Sequence, residues 1–381
     1  MKVVFITSMT PSGHYSQYIT KGLHQQKDID LIVYAGLHEA GKVDAKKYGT
    51  VKYVWKKSLT YISDILRELE RDKPDIVHVQ QEFNMYGGVL TGALFPLLIL
   101  QIRMAGYKTV VTIHAAVHKH QVNDEFIHLF HKNSKIMRPF ILKSFFQYVY
   151  MTTSWIADTM FVHTKLKQKI LTEDYAVSPK KLTFMPIVIP DKKTNNVKKD
   201  KYFFYFGYMV RRKGLQHALE GFKKFIDSHP RSPFKLVLAG GVIKGQEKAF
   251  EEIKDFIALN RLEKYILMKG FIEEQEQDKL YNRAYAVIIP AKVSMGSSGP
   301  LFHAMSYGKC VIATREGYFK EDIIHLKTGI LTDNTKWKNA FEFAVNHPKL
   351  IANIEKNVTK KARDQEPATV ARRYVQVYNS L

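Results

Sequence analysis

Cysteine is almost missing from this chain. Cys310 is the only one in 381 residues, which excludes a disulfide framework and a cysteine-rich metal site. It lies in an apolar run, as expected of a small buried side chain, and nothing in the sequence argues against a reducing compartment. Because Met1 leads directly into a strand-like run, 2–6, that is too short for a signal peptide, we expect a cytoplasmic protein.

Long apolar runs are also lacking. The most apolar window, residues 89–102, has 14 residues and contains Pro96, whereas a helix needs about 20 residues to span a bilayer. The window therefore predicts a buried helix after the loop at Gly87 and Gly88. We expect a protein that can lie on the inner face of a membrane but does not cross it.

Acidic residues are few in relation to basic ones. The chain has 36 Asp and Glu against 58 Lys and Arg, a formal net charge of +22. Its partners should therefore be anionic, and three classes qualify: nucleotide sugars, anionic membrane lipids and nucleic acid. No recognised nucleic-acid-binding motif accompanies the charge, so specific binding of nucleic acid is the least favoured of the three.

One segment, residues 132–155, combines basic and aromatic residues in a way that suits a membrane surface. Within one arc of a helix it would place Lys132, Lys135, Arg138 and Lys143. With its aromatic and aliphatic residues, such a helix can lie in the headgroup region of an anionic membrane. The same pattern fits a helix that packs on the domain core and exposes a basic face, and the sequence leaves both interpretations open.

Strands and helices alternate along the chain, which is typical of an α/β protein with parallel sheets. In the first half the predicted strands are 3–6, 31–34, 76–79, 109–113, 161–163 and 182–184. Residues 191–201, DKKTNNVKKDK, are almost entirely polar and predict an interdomain linker. Because the pattern then repeats from Tyr202 to about Leu331, the chain should hold two domains, as its length also suggests.

The stretch 292–321 holds the strongest candidate for a phosphate site. It follows an apolar run that predicts a buried parallel strand. The start of a helix is then marked by small residues and a proline: Gly296, Ser297, Ser298, Gly299 and Pro300. Backbone N–H groups at such a helix N-terminus, with its partial positive charge, can bind an anion. An ordinary strand–turn–helix without a ligand fits the same residues.

A basic cluster lies near the start of the second half. The predicted strand 203–206 ends at Gly207 and is followed by Arg211, Arg212 and Lys213. Arginine suits bidentate contacts with phosphate, and lysine acts as a point charge. A solvated basic turn is the alternative. The first half opens in a similar way, on a strand, a Pro-Ser-Gly loop and a helix.

Together these segments resemble the GT-B glycosyltransferases of the large retaining family 4, over nearly the whole chain. The motifs that carry the resemblance are the glycine loop at Gly13, KPDIVHVQQEFNMYGG at 73–88, TIH at 112–114, FG…KG at 206–214, KLVLAGG at 235–241, KGF at 269–271 and ATREGYFKE at 313–321. Each motif is weak alone, whereas their order and spacing together are specific.

The resemblance implies two Rossmann-like domains, doubly wound around parallel sheets, that face a cleft. Residues 1–190 would bind the acceptor, 191–201 would link the domains, and 202–365 would bind the nucleotide sugar. The spacing of the last apolar residues predicts a C-terminal helix, 366–381, which would pack back on the first domain.

The family's functional residues map onto both domains. The implied donor site consists of Gly13, His14, Gly207, Arg211, Arg212, Lys213, Gly240, Phe271, Ser297, Ser298, Gly299, Pro300 and Leu301. The implied acceptor site consists of His78, Gln80, Glu82 and His114. Catalytic roles fall to His114, His118, Glu82 and Lys213. His78 also fits a strand residue whose ring is satisfied by the backbone.

Two features depart from the family pattern. The family usually carries two glutamates eight residues apart around the donor-binding helix, and Met295 and His303 stand there instead. A subset of the family has a Ser-Gly loop at this point, to which residues 297–299 are similar. The arginine expected after the glycine that opens the second domain is Tyr208, so Arg211 or Arg212 must supply the charge.

Histidines cluster after one predicted strand, at His114, His118 and His120. Zinc would need convergent ligands, and the carboxylates nearby in the sequence are Asp124 and Glu125. GT-B enzymes hold the diphosphate with amides and basic side chains, so the resemblance implies no metal and no cofactor besides the substrate.

We therefore expect a retaining, metal-independent glycosyltransferase. Its donor would be a UDP- or GDP-linked sugar, and its acceptor a glycan or lipid-linked molecule of cell-envelope polysaccharide or glycolipid synthesis. Two other classes stay open: a non-catalytic GT-B subunit that supports a partner glycosyltransferase, favoured by the missing glutamates, and a basic nucleic-acid-binding protein.

Overall fold

The computed structural model describes residues 1–10, 15–41, 43–83, 85–130, 137–192, 197–243 and 245–381. These residues form two compact units. The first unit draws on Met1–His128, Asn133–Val188 and Gln365–Leu381, and the second on Leu129–Lys132 and Ile189–Asp364. The boundary at 188/189 compares with a predicted end of the first domain at 190.

The first unit is built on a parallel sheet of seven strands in its described residues, in the order β3-β2-β1-β4-β5-β6-β7. The strands are β1 Lys2–Ile6, β2 Asp30–Gly36, β3 Thr50–Trp55, β4 Ile76–Gln81, β5 Lys108–Ile113, β6 Thr159–Val162 and β7 Leu182–Phe184. Its helices are α1 Tyr15–His24, α2 Tyr61–Asp72, α3 Val89–Ala93, α4 Phe95–Met104, α5 Asp124–Phe130, α6 Pro139–Ile156 and α7 Lys165–Tyr175.

The central strands are apolar because helices cover both faces of the sheet. In β1, Val3, Val4, Phe5 and Ile6 are all completely buried, as expected of a parallel strand. The edge strand β3 was not predicted, since it is only half-buried and mixes polar with apolar residues. Its Lys52 ammonium lies 2.6 Å from the Asp72 carboxylate at the end of α2.

The second unit has a parallel sheet of six strands in its described residues, in the order β10-β9-β8-β11-β12-β13. The strands are β8 Tyr202–Phe206, β9 Lys235–Ala239, β10 Ile266–Gly270, β11 Ala286–Ile289, β12 Val311–Thr314 and β13 Ile330–Thr332. The helices are α8 Leu215–Ser228, α9 Glu247–Leu259, α10 Glu274–Arg283, α11 Gly299–Ser306, α12 Phe319–Asp322, α13 Trp337–Asn346 and α14 Pro348–Asp364.

The last helix, α15 Pro367–Ser380, belongs to the first unit and packs on α1. The two helices approach so closely that a Cβ at Gly22 would lie 2.3 Å from the Pro367 carbonyl oxygen. Two buried tyrosines of α15 enter the core: Tyr374 bonds to the Tyr15 hydroxyl, and Tyr378 bonds to His78 Nδ1. Helix α15 is therefore an integral part of the first unit.

The predicted linker is attached to the second unit at its described ends, while residues 193–196 lie outside the described residues. The Lys192 ammonium is 2.6 Å from Glu274 Oε1. The Asp200 carboxylate accepts a hydrogen bond from Arg283 Nε at 2.7 Å. At least two polar residues of the segment thus have charge partners in the second unit, which composition does not reveal, and its role as a linker stays a prediction.

The apolar window 89–102 does not form one buried helix. It divides into α3 and α4, with Leu94 between them. Leu90 is 67% exposed and Met104, at the end of α4, is 78% exposed. Among the described residues, no helix is both long and apolar enough to cross a bilayer.

The basic-aromatic segment 132–155 is also shorter as a helix than predicted. Lys132 and Lys135 lie outside the described residues. Helix α6 begins at Pro139, so Arg138 precedes it in an extended conformation. Of the four basic residues, Lys143 alone is in the described helix, because proline suits a first helical turn and starts the helix there.

The packing of α15 on α1 gives a first prediction. Gly→Ala in a helix normally stabilises by about 1 kcal/mol, but in Gly22→Ala the new methyl group would collide with the Pro367 carbonyl. We expect this change to destabilise the first unit by about 1–3 kcal/mol, measured by thermal unfolding. The matched control is Gly299→Ala, where a Cβ meets no atom within 4 Å. Equal effects of the two changes would contradict the packing argument.

Candidate functional site

In the second unit the strand order reverses between β8 and β11, which are neighbours although β9 and β12 lie on opposite sides of them. In open parallel sheets, ligands bind outside the carboxyl ends of the strands at such a point. The two loops that leave it run from Gly207 to Gly214 and from Pro290 to Ser298. They contain six of the thirteen predicted donor-binding residues.

Glycines allow these loops to meet. Gly214 has a φ of 62°, and a Cβ there would lie 2.0 Å from the Pro290 carbonyl oxygen. The Lys292 N–H donates to the Arg212 carbonyl at 3.0 Å, which ties the same loops together. Gly240, with a φ of 138°, comes equally close to the Gly207 carbonyl oxygen. Since both φ values are positive and both approaches exclude a side chain, only glycine fits these two positions.

Lys213 is the most informative side chain in these loops. Burial lowers the pKa of its ammonium from 10.5 to about 8, and the neighbouring Arg212 adds to the effect. The structure gives the Lys213 ammonium no hydrogen-bond or ion-pair partner among the described residues. Because an anion stabilises a desolvated cation of this kind, Lys213 is well suited to bind a phosphate group.

The other two basic residues of the cluster differ from Lys213. They lie with it in a short 3₁₀ turn, Arg211–Lys213. The Arg211 guanidinium is exposed and pairs with Glu252 of α9, with Nε 3.3 Å from Oε2. Arg211 is therefore engaged in a surface ion pair, which favours a surface role over its predicted role in donor binding. Arg212 is half-buried, and desolvation lowers its pKa.

The start of α11 has the form of an anion site. Ser298 precedes the helix without a side-chain cap, and Pro300 lies in the first turn. The Ser297 hydroxyl is buried and has no hydrogen-bond partner among the described residues. Leu301, however, is completely buried, and its N–H donates to the Ser298 carbonyl at 3.0 Å. Leu301 is thus a core residue, and its role as a donor contact stays a prediction.

Aromatic residues lie at the ends of the neighbouring strands. Phe271 follows β10 and is 78% exposed, and Tyr208, which replaces the expected arginine after β8, is 50% exposed. Such rings can stack on a nucleobase. His303, at one of the two positions usually held by glutamate, stacks on Tyr281 at a centroid distance of 5.4 Å.

In the first unit, His114 follows β5 and is held by its neighbours. Its Nε2 is hydrogen-bonded to Gln80 Oε1 on β4. Because a carbonyl oxygen only accepts, this contact places the proton on Nε2 and leaves Nδ1 as an acceptor. The buried Lys167 ammonium donates to the carbonyls of Ile113 and His114 at 2.9 and 2.8 Å. Burial, followed by His163 and Lys167, lowers the pKa of His114 and keeps it neutral.

Two residues beside His114 escaped the sequence analysis. Tyr15 lies edge-on to the His114 ring at a centroid distance of 5.0 Å. His163, just after β6, donates from Nδ1 to the Met185 carbonyl at 3.0 Å, and its buried Nε2 has no partner among the described residues. Burial lowers the pKa of His163 to about 3. In the sequence, the one indication of a role for His163 was its position at the end of a predicted parallel strand, where ligands bind in such sheets.

His118 is oriented by a carboxylate that lies 56 residues away in the sequence. Its Nδ1 is 2.9 Å from Asp174 Oδ2, and the Lys119 N–H donates to the same oxygen at 3.0 Å. A carboxylate on one ring nitrogen fixes the tautomer and leaves the other nitrogen to face a substrate. Asp174 was not predicted, since no local pattern links it to His118.

Three predicted residues have different outcomes. Gly13 and His14 lie outside the described residues. Glu82 follows β4 with an exposed side chain, although nearby protein atoms desolvate its carboxylate and raise its pKa, an effect that Lys57 opposes.

The loop after β1 is anchored by Glu39, a buried residue that was not predicted. Its carboxylate accepts hydrogen bonds from Ser8 Oγ and from the Met9 N–H at 2.5 and 2.6 Å.

His78 is a core residue. It is completely buried, with Nε2 2.7 Å from Thr112 Oγ1 and Nδ1 bonded to the Tyr378 hydroxyl. Both ring nitrogens are thus satisfied by the protein itself, which corrects the prediction that His78 binds acceptor. Gln80 is also buried and acts on His114 instead.

No group of three or more His, Cys, Asp or Glu side chains in the described part of the chain is arranged to hold a metal ion. His118 and His120 stack at a centroid distance of 5.0 Å rather than converging on one point. Independence of a metal stays a prediction.

Residues 189–361 match the family described as Glycosyl transferases group 1. This segment contains Lys213, the glycine turns and the start of α11. The chain therefore carries a glycosyltransferase group 1 domain, and its enzyme class is transferase. No curated protein sequence matches the chain.

Several solved structures share the fold. HepE from Anabaena, in complex with UDP, superposes with a TM-score of 0.77 at 12% identity, over all of both chains. Sucrose-phosphate synthase from Thermosynechococcus elongatus gives 0.76 at 14%, over all of this chain and 98% of that one. The lipopolysaccharide outer core galactosyltransferase WaaB gives 0.64 at 12%, over all of both chains. At these identities the likeness shows the fold alone, and the predicted GT-B fold is confirmed.

The desolvated Lys213 gives a second prediction. Because its pKa is lower in the folded than in the unfolded chain, the protonated side chain destabilises the fold below about pH 8. This cost disappears as the pH rises towards 10.5. Lys213→Met should therefore unfold at a higher temperature than the parent at pH 7, and the difference should shrink above pH 8. Calorimetric scans without ligand test this, and a less stable variant at pH 7 would show that the ammonium has a partner.

Proposed function

We propose that the protein transfers a sugar from a nucleotide-sugar donor, linked to UDP or GDP, to a hydroxyl of a glycan or lipid-linked acceptor. The observation that carries the proposal is the desolvated Lys213 ammonium in a glycine-bounded loop at the strand-order reversal of the second sheet. The unpartnered Ser297 hydroxyl on the adjoining loop supports it. The solved HepE complexes contain UDP and UDP-glucose, which favours a uridine nucleotide among the candidates.

The donor site that we propose combines these groups. Lys213 and Arg212 would face the diphosphate, with the Ser297 hydroxyl and the amides at the start of α11. The exposed rings of Tyr208 and Phe271 would stack on the nucleobase. A desolvated cation stabilises the negative charge that develops on a leaving diphosphate more strongly than a fully hydrated cation would. This electrostatic stabilisation is usually the largest contribution to catalysis in such a site.

The reaction would retain the anomeric configuration. The bond from the anomeric carbon to the diphosphate oxygen breaks, and the acceptor oxygen bonds to the same face of that carbon. The acceptor proton passes to the leaving diphosphate, so no protein base is consumed. Lys213 balances the charge of the departing group, while His114, His118 and Glu82 would orient the donor sugar and the acceptor hydroxyl.

The cytoplasm is the proposed location of this reaction. The single cysteine is fully buried, so the fold requires no oxidising compartment. Cell-envelope polysaccharide or glycolipid synthesis is the proposed setting. It is supported by the strong basic charge, which suits an anionic acceptor.

The first test is titration of the purified protein with UDP, GDP, ADP and their sugar conjugates by calorimetry, with and without EDTA. We expect one nucleotide to bind selectively and EDTA to have no effect. Lys213→Met should weaken binding about 10- to 100-fold, because it removes a charge-assisted contact worth roughly 1.5–3 kcal/mol. The matched control is Arg211→Ala, which should change binding less than about twofold, since Arg211 is paired with Glu252.

Each outcome of this titration is informative. Equal losses in the two variants would move the phosphate site away from Lys213. Absence of binding by every nucleotide would favour a non-catalytic subunit, the alternative suggested by Met295 and His303 in place of the usual glutamates. For a protein that binds, NMR of the product shows the anomeric configuration, and inversion would overturn the retaining mechanism.

The contact between His118 and Asp174 gives a further prediction. Asp174→Asn should lower kcat roughly tenfold without a change in donor affinity, because the amide no longer fixes the His118 tautomer. Glu173→Gln, at an exposed neighbour paired with Lys169, is the control and should leave both unchanged. An unaltered kcat in Asp174→Asn would remove His118 from the reaction.

A further inference from the structure

Exposed apolar side chains concentrate on three helices of the first unit. The described residues include twenty large apolar side chains that are exposed, and nine of these lie on α3, α4 and α6. These helices have only 5, 10 and 18 residues. The nine are Val89, Leu90, Leu97, Leu100, Met104, Phe140, Ile141, Tyr148 and Trp155.

The three helices are neighbours in one layer. Helix α4 packs between α2 and α6, and α3 also contacts α6. Along α6, Ile141, Tyr148 and Trp155 recur every seven residues and so lie on one side of the helix. The opposite side, with Phe146 and Val149, is buried in the core. The exposed residues therefore form one face, which we call the α4–α6 face, rather than scattered positions, and a face of this kind marks an interaction site.

The charge around this face selects the partner. Helices α3, α4 and α6 contain no Asp or Glu, and no acidic residue occurs between Glu82 and Asp124. Lys143 of α6 and Arg138, which directly precedes α6, are basic, whereas Arg103 of α4 is paired with the Asp158 carboxylate at 2.9 Å. An apolar face with basic residues and without carboxylates suits the headgroup region of an anionic bilayer. A second copy of the chain is disfavoured, since each copy carries a net charge of +22.

We propose that the α4–α6 face binds anionic membranes and inserts Leu90, Met104, Phe140 and Trp155 into the headgroup boundary. These side chains are the most exposed of the nine, at 66 to 78%. The face contains no residue of the candidate donor or acceptor sites. Membrane binding can therefore succeed or fail independently of the proposed sugar transfer.

The tryptophans provide a specific reporter. The chain has three, of which Trp55 and Trp337 are 1% exposed and Trp155 is 66% exposed. A change of tryptophan emission that leaves the fold intact therefore reports on Trp155. We expect a blue shift, and quenching by brominated lipids, with vesicles of phosphatidylcholine and phosphatidylglycerol. Vesicles of phosphatidylcholine alone should give a much smaller response, and added salt should weaken the binding.

Substitutions on the face provide the decisive comparison. Leu90→Ser combined with Phe140→Ser keeps the reporter and should lower partitioning onto anionic vesicles at least about tenfold, in flotation and in fluorescence. The matched control combines Leu259→Ser with Phe184→Ser, two exposed apolar positions elsewhere, and should bind like the parent. Thermal unfolding of both variants should equal that of the parent, because all four side chains are exposed.

Three results would overturn the proposal. The first is unchanged Trp155 emission together with protein that stays free of both kinds of vesicle. The second is equal binding by the face variant and its control, which would assign membrane contact to another surface. The third is a blue shift that grows with protein concentration in the absence of lipid, which would assign the face to a second copy of the chain.

Discussion

The close approach of backbone to backbone at the strand-order reversal of the second sheet is the constraint on which the candidate site depends. Gly214 touches the Pro290 carbonyl, and Gly240 touches that of Gly207. Because no side chain fits between Gly214 and Pro290, the loops after β8 and β11 meet directly. Protein atoms around Lys213, together with Arg212, lower the pKa of its ammonium. A partly desolvated cation is what an enzyme needs where negative charge develops on a leaving group.

In the first unit, the main constraint is that buried polar side chains need hydrogen-bond partners. Its central strands carry polar residues into the core, at His78 and Gln80 of β4 and Thr112 of β5. Burial of polar groups costs free energy unless they are hydrogen-bonded. Helix α15 supplies the missing partner, since Tyr378 bonds to His78. Packing of α15 therefore satisfies a ring nitrogen of His78. Gln80 lies on the same strand as His78 and orients His114 at the carboxyl end of β5.

The two units differ in how charge is distributed over their candidate binding surfaces. The desolvated cation lies in the second unit, while the first unit carries an apolar face without carboxylates. Exposed ion pairs, such as Arg211 with Glu252, occupy other positions and contribute little to stability. A basic protein with these two features is suited to hold an anionic small molecule in one place and to associate with an anionic surface in another.

The sequence by itself determined the class of fold and the order of the parts. Apolar strand runs and glycine turns are local patterns, and they correctly indicated two parallel-sheet domains; the loops predicted to bind a phosphate stay a prediction. Tertiary structure decided which residues of each pattern remain available to contact a ligand. It paired Arg211 and isolated Lys213, joined His78 to a residue 300 positions away, joined Asp174 to His118, and left three apolar side chains of α4 exposed. The reason is physical: hydrophobic periodicity is written in neighbouring residues, whereas desolvation and pairing depend on groups that only the folded chain brings together.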